Sequence, residues 1–161
     1  MKETTILINE LTNEIKNDVN LSREFITLLE SERTSLEKKD IEQIEKLAAK
    51  KTSLILAFSK NQKSRDDIQQ QLGGPIGFQG LRYILEKFKL QQHPTFKIIL
   101  QDLEKLLIKI QNMSDINSKI IAISHAQTSR IIDILYGRDN PIYGENAKVC
   151  STGVSKSITK V

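Results

Sequence analysis

The sequence predicts an all-α fold: an elongated antiparallel helical hairpin or bundle, coiled-coil-like, with three long helices, one short helix and a flexible C-terminal tail. Three observations lead there. Apolar residues recur at helical spacing over long stretches that contain neither Gly nor Pro. Only 3 Pro and 7 Gly stand in 161 residues, and a fold with many tight turns needs more of both. Aromatics make up 5% with no Trp, which counts against a sandwich or barrel rich in aromatic strand residues.

The first helix runs from Thr4 through Leu36, with Ile8, Leu11, Ile15, Val19, Phe25, Leu28, Leu29 and Leu36 as its apolar positions. Lys38-Lys39-Asp40 reads as a tight corner. Asp40 is an N-cap, and Gln43 three residues later completes a capping box. The second helix buries Ile41, Ile44, Leu47, Ala48, Leu54, Ile55 and Phe58. Its nearly all-polar far end, Asn61 to Gln71, is expected to be exposed or frayed. A corner this short makes the N-terminal hairpin, residues 4–72, antiparallel.

Four of the seven glycines fall between Leu72 and Gly80, and the 73–80 segment reads as a hinge or loose connection. A short helix over 81–91 follows, with Leu81, Ile84, Leu85 and Phe88 on one side. Pro94 opens a long helix over 94–136, since Pro is tolerated at a first helical position. Steps of four and three residues mark its seam: Ile99, Leu103, Leu106, Ile110, Met113, Asn117, Ile120, Ser124, Gln127, Ile131 and Ile134. At about 1.5 Å per residue this is a rod of roughly 65 Å, which must lie along other long helices or project from them. Tyr136-Gly137 is a helix stop. Residues 1–144 then form one helical domain, and 145–161 the flexible tail.

Composition narrows the function. The net charge of +4 comes from 24 basic and 20 acidic side chains that are interleaved, as on a solvated helical surface. Residues 1–30 carry three basic and six acidic groups, so the remainder carries about +7. No signal-peptide pattern opens the chain, and no apolar run approaches the ~18 residues of a bilayer span. A cytoplasmic location is expected. The single Cys150 makes no internal disulfide and has no neighbouring His to activate it. His93 and His125 lack further ligands at metal spacing. The Gly-rich segment lacks a Gly-Lys-Ser/Thr phosphate loop and does not match the dinucleotide fingerprint. The expectation is a protein that is not an enzyme and uses no metal or cofactor.

What remains is a long helical surface whose seam turns polar at Asn117, Ser124 and Gln127. Such a surface suits helix-in-groove recognition, where a partner's amphipathic helix completes the apolar strip. A self-contained bundle fits the same pattern.

Two segments carry a resemblance. The first holds Leu28, Leu29 and Glu32, then Leu36, Asp40 at the corner, Ile41 and Ile44, and Lys51 before Leu54. The second holds Asp115-Ile116-Asn117-Ser118-Lys119-Ile120-Ile121, then Ile134-Leu135-Tyr136-Gly137 and Ile142-Tyr143-Gly144. In these the chain resembles the FlgN family, cytosolic chaperones of flagellar type III export. Ser118 stands where relatives often carry Gly.

The resemblance implies a protein that binds the C-terminal helical segments of the hook-associated proteins FlgK and FlgL. It would prevent their premature assembly and deliver them to the export gate, docking on the cytosolic domain of FlhA. The expected client surface spans about Asn112 to Tyr143. Ile120, Ile121, Ile131, Ile134 and Leu135 would supply apolar contact, with Asn117 and Gln127 supplying specificity. Tyr136 and Tyr143 are the candidate export-gate contacts. A scaffolding coiled coil and a helical nucleic-acid binder are the competing readings. Short basic spots at Lys50-Lys51 and Lys87 to Lys89 are the only signal for the latter.

Overall fold

A computed structural model describes residues 2–90, 94–135, 142–143 and 149–150, with side chains described over 3–90, 94–123 and 125–126. The elements are α1 (Lys2–Lys38), α2 (Ile41–Gln71), α3 (Gly77–Lys87), α4 (Pro94–Leu135) and two two-residue strands, β1 (Ile142–Tyr143) and β2 (Val149–Cys150). The chain divides into two units, residues 1–120 and 121–161. The fold class is all-α as expected. No described helix is long and apolar enough to cross a membrane.

In the first unit α1 is shared by the other helices, because its apolar residues form two stripes about a third of a turn apart at 100° per residue. Leu28 packs with Leu47 and Leu54 of α2. Ile26 and Leu29 pack with Met113 of α4. Phe25 touches both clusters and meets Phe58 edge to face at 6.1 Å. Towards the start of α1, Leu11, Ile15 and Val19 join Ile68 and Leu72 of α2, Leu81 and Ile84 of α3, and Phe96, Leu100 and Leu103 of α4. All four helices meet only at that level. Each such buried side chain contributes about 1.5–3 kcal/mol, which is what holds helices that are marginal alone.

The corner after α1 falls where the sequence predicts, with Asp40 as the cap, but the capping box is half-formed because the Ser35 carbonyl and not the Gln43 side chain takes the Asp40 amide. Lys39 takes the left-handed conformation at φ 57, and the Asp40 amide returns to the Ser35 carbonyl at 3.0 Å, closing a Schellman-type stop. Asp40 Oδ1 then accepts from the Gln43 amide at 3.0 Å and caps α2.

Two expectations about α2 need correction. The polar end of α2 is neither exposed throughout nor frayed: Ile68, Gln69 and Leu72 are buried, and Asn61 and Arg65 are largely so. Ile41, Ala48 and Ile55, expected in the core, are exposed instead. Their helical spacing is sound, but no described helix packs over that side of α2.

The Gly-rich connection is a fitted turn and not a loose hinge. The Gly74 amide bonds the Gln69 carbonyl at 2.9 Å, the Gly77 amide donates to Asp66 Oδ1 at 2.9 Å, and Gln69 Nε2 donates to the Gly77 carbonyl at 3.1 Å. Lys87 Nζ donates to the Leu72 carbonyl at 2.9 Å, so the end of α3 is tied back to the end of α2. α3 begins at Gly77, four residues before the expected start, because Gly80 lies inside it with its Cα pressed on the Pro75 carbonyl.

α4 begins at Pro94 and its seam is buried or half-buried at Ile99, Leu103, Leu106, Ile110, Met113, Asn117 and Ile120. His93 and Tyr136 lie outside the described residues. In the second unit, α4 continues to Leu135, and β1 pairs antiparallel with β2, Ile142 opposite Cys150 and Tyr143 opposite Val149. Of the tail expected at 145–161, only that second strand lies within the described residues.

A β-carbon at residue 80 would sit 1.8 Å from the Pro75 carbonyl oxygen, a backbone atom that cannot swing aside. Gly80→Ala should therefore destabilise the chain by on the order of 3 kcal/mol, read as a lower urea midpoint, while Gly77→Ala acts through its positive φ alone.

Candidate functional site

Two polar clasps cross the helix interfaces of the first unit, and they determine which surfaces remain free. The first centres on Asn117 of α4, only 2% exposed. Its Nδ2 donates to the Leu29 carbonyl at 3.0 Å and to Glu32 Oε2 at 2.8 Å. Its Oδ1 accepts from Arg33 Nε at 3.1 Å. Glu32 Oε1 in turn accepts from Lys51 Nζ of α2 at 2.7 Å. One amide and one carboxylate thus join three helices. A buried polar group at a seam position is tolerated only when satisfied, and it then fixes register.

The second clasp lies between α1 and α2. Asn61 Nδ2 donates to the Glu14 carbonyl at 2.9 Å and to Asp18 Oδ1 at 2.7 Å, and Arg65 pairs with the other Asp18 oxygen. Ser64 Oγ donates to Glu14 Oε1 at 3.0 Å. Burial pushes the Asp18 carboxyl above its usual range, and the Arg65 guanidinium and the Asn61 amide offset part of that rise.

The expected client-binding residues separate in this geometry. Asn117 faces inward, and its hydrogen bonds go to α1; it does not stand open on the surface. Ile120 is half-buried and closes the first unit. In the second unit Ile121 is 49% exposed and Ile123 60% exposed. Gln127, Ile131, Ile134 and Leu135 are on the helical backbone of α4, with side chains outside the described set. Tyr143 is in β1, its side chain likewise outside that set. Tyr136 is outside the described residues altogether.

Sequence reading missed the partners that Asn117 uses. An Asn in an apolar seam signals a buried amide, but nothing local names Glu32, Arg33 or Lys51 as its companions. It likewise missed Asp18, Asn61 and Arg65, whose partners stand more than forty residues apart. Among the described residues no group of three or more His, Cys, Asp or Glu side chains gathers at metal distance.

The first unit is thus an α-helical bundle crossed by two polar clasps, in which Arg33 Nη2 and Arg65 Nε stay buried without a hydrogen-bond partner, and isoleucines are exposed on α1, α2 and α4. The family model described as FlgN protein matches residues 1–149, from α1 through the start of the tail. The chain belongs to the FlgN family, the family of flagellar export chaperones. It has no significant match among curated proteins or solved structures.

Asn117→Ala should lower stability by roughly 2 kcal/mol, because it strips hydrogen bonds from two charged side chains; melting should fall by about 5 °C. A side chain serving only an outside partner would leave melting unchanged. For Asp18 the folded carboxyl titrates above the unfolded one, so its contribution is full below the unfolded value and is lost as pH rises through the folded one. Asp18→Asn removes that loss. Its melting temperature should gain on the parent as pH rises from about 3.5 to about 7, and a gap moving the other way would mean that the Arg65 pairing outweighs burial.

Proposed function

We propose that this chain is a cytoplasmic, non-enzymatic export chaperone for the hook-associated proteins FlgK and FlgL. It binds their C-terminal helical segments, blocks their premature assembly and delivers them to the cytosolic domain of the gate protein FlhA. The observation that carries this reading is membership of the FlgN family over residues 1–149. The exposed Ile121 and Ile123 on α4 support it, since large bare isoleucines suit capture of an amphipathic helix.

In this reading Ile120, Ile121, Ile131, Ile134 and Leu135 make the apolar contact and Gln127 selects the partner. Asn117 contributes indirectly, by holding the approach to that segment of α4 against α1. Tyr136 and Tyr143 are assigned to the gate, because a tyrosine buries much area for little lost rotamer entropy. No cofactor takes part.

The experiment is paired pull-downs with FlgK and with the FlhA cytosolic domain. Ile131→Asp with Ile134→Asp should abolish FlgK capture with an unchanged helical spectrum, and Tyr143→Ala should weaken FlhA binding while sparing FlgK. Full FlgK affinity in the double variant would exclude the α4 surface.

A further inference from the structure

α3 occupies a trough between α2 and α4, and that trough continues past it with no described helix inside. On α2, Asp66 and Gln69 bond the start of α3. On α4, Glu104 pairs with Arg82 of α3, and Leu100 shares its core. Stepping seven residues at a time keeps to one side of a packed helix. From Gln69 this leads to Gln62, Ile55 and Ala48. From Leu100 it leads to Leu107 and Ser114, and from Glu104 to Gln111 and Ser118. Ile55 is 51% exposed and Leu107 40% exposed, while Gln62, Ala48, Gln111 and Ser118 are exposed as well.

The floor is equally well marked. Phe25 belongs to both the α1–α2 and the α1–α4 clusters, so it lies on the line between the flanking helices. Glu32 lies on the same line, holding Lys51 on one side and Asn117 on the other. α3 reaches the level of Asp66, next to the residue that pairs with Asp18. α1 runs on from Asp18 to Lys38, which at 1.5 Å per residue is about 30 Å of open trough.

We infer that this trough seats one amphipathic helix of an export client, end to end with α3, as a second contact in addition to the α4 surface. The occupant is argued from three features. The same trough already accepts a helix, α3, which presents Leu81 and Ile84 to it. Ala48, Ser114 and Ser118 are small enough to let another backbone approach closely. The free length fits roughly five turns of helix. The charges at the floor are already paired, since Lys51 and Glu32 neutralise each other. The entering stripe is therefore apolar and uncharged, with charges only along its outer edges. The inference rests on the chaperone reading above.

The test uses the full chain and the C-terminal segment of FlgK as probe. Ile55→Glu with Leu107→Glu should weaken binding at least tenfold, and Ser118→Trp, which fills the trough without charge, should weaken it too. Ile6→Glu, on α1 and likewise exposed, should leave affinity unchanged. A benzophenone amino acid in place of Ile55 or Ser118 should cross-link to the probe. Cross-links made instead to a second copy, or to this chain's own residues 136–161 with the probe bound, would overturn the inference. If the trough variants bind normally while Ile131→Asp with Ile134→Asp does not, the trough falls and the chaperone reading stands. If the parent chain does not bind the segment at all, both fall.

Discussion

The architecture depends on α1 carrying two apolar stripes along one unbroken helix. One stripe is covered by α2 and the other by α4, so the flanking helices touch α1 along much of its length. A third helix reaches the space between them only where Leu11, Ile15 and Val19 meet Leu81 and Ile84. Interrupting α1 would separate the two interfaces at once. Neither flanking helix has another partner of comparable extent among the described residues, and isolated helices of this kind are marginal in water.

Apolar stripes alone would let the flanking helices slide by a turn, because one isoleucine or leucine replaces another at small cost. The polar clasps remove that freedom. Asn117 reaches a backbone carbonyl, a carboxylate and a guanidinium, and a shift of one turn would leave all three without it. Asp18 does the same between α1 and α2, at the expense of a buried carboxylate. Such groups add little net stability when paired but are strongly unfavourable when unpaired, so they act chiefly against the wrong registers. The two clasps sit more than ten residues apart along α1, which resists tilting as well as sliding.

Much of this was legible in the chain. The hairpin, the Asp40 cap, the seam of α4 from Ile99 to Ile120 and the inward side of α3 follow from local spacing, which is where pattern reading is strong. The far end of α2 was not legible. Asn61, Arg65 and Gln69 are polar, and polarity reads as exposure unless their distant partners are known. The Gly-rich segment looked loose for the same reason: Gly73 and Gly77 do need positive φ, but Gly80 is there for a close backbone contact that no local rule reveals. The opposite error occurred at Ile41 and Ile55, whose helical spacing suggests a core that the neighbouring helices do not supply. Of the candidate site, the seam spacing places Asn117 at a core-type position, and its amide is buried there, whereas its partners on α1 are not legible from local pattern.

The short α3 explains how one molecule can be both well folded and incomplete. Its eleven residues seal the level where all four helices meet, which gives the first unit a core that does not need a partner. Had α3 been as long as α2, its apolar side would also have covered Ile55 and Leu107, and the bundle would have satisfied itself. In the proposed reading, stability and binding capacity therefore occupy different levels of the same helices. A chaperone needs that separation, because a surface essential to its own folding could not be surrendered to a client and recovered intact.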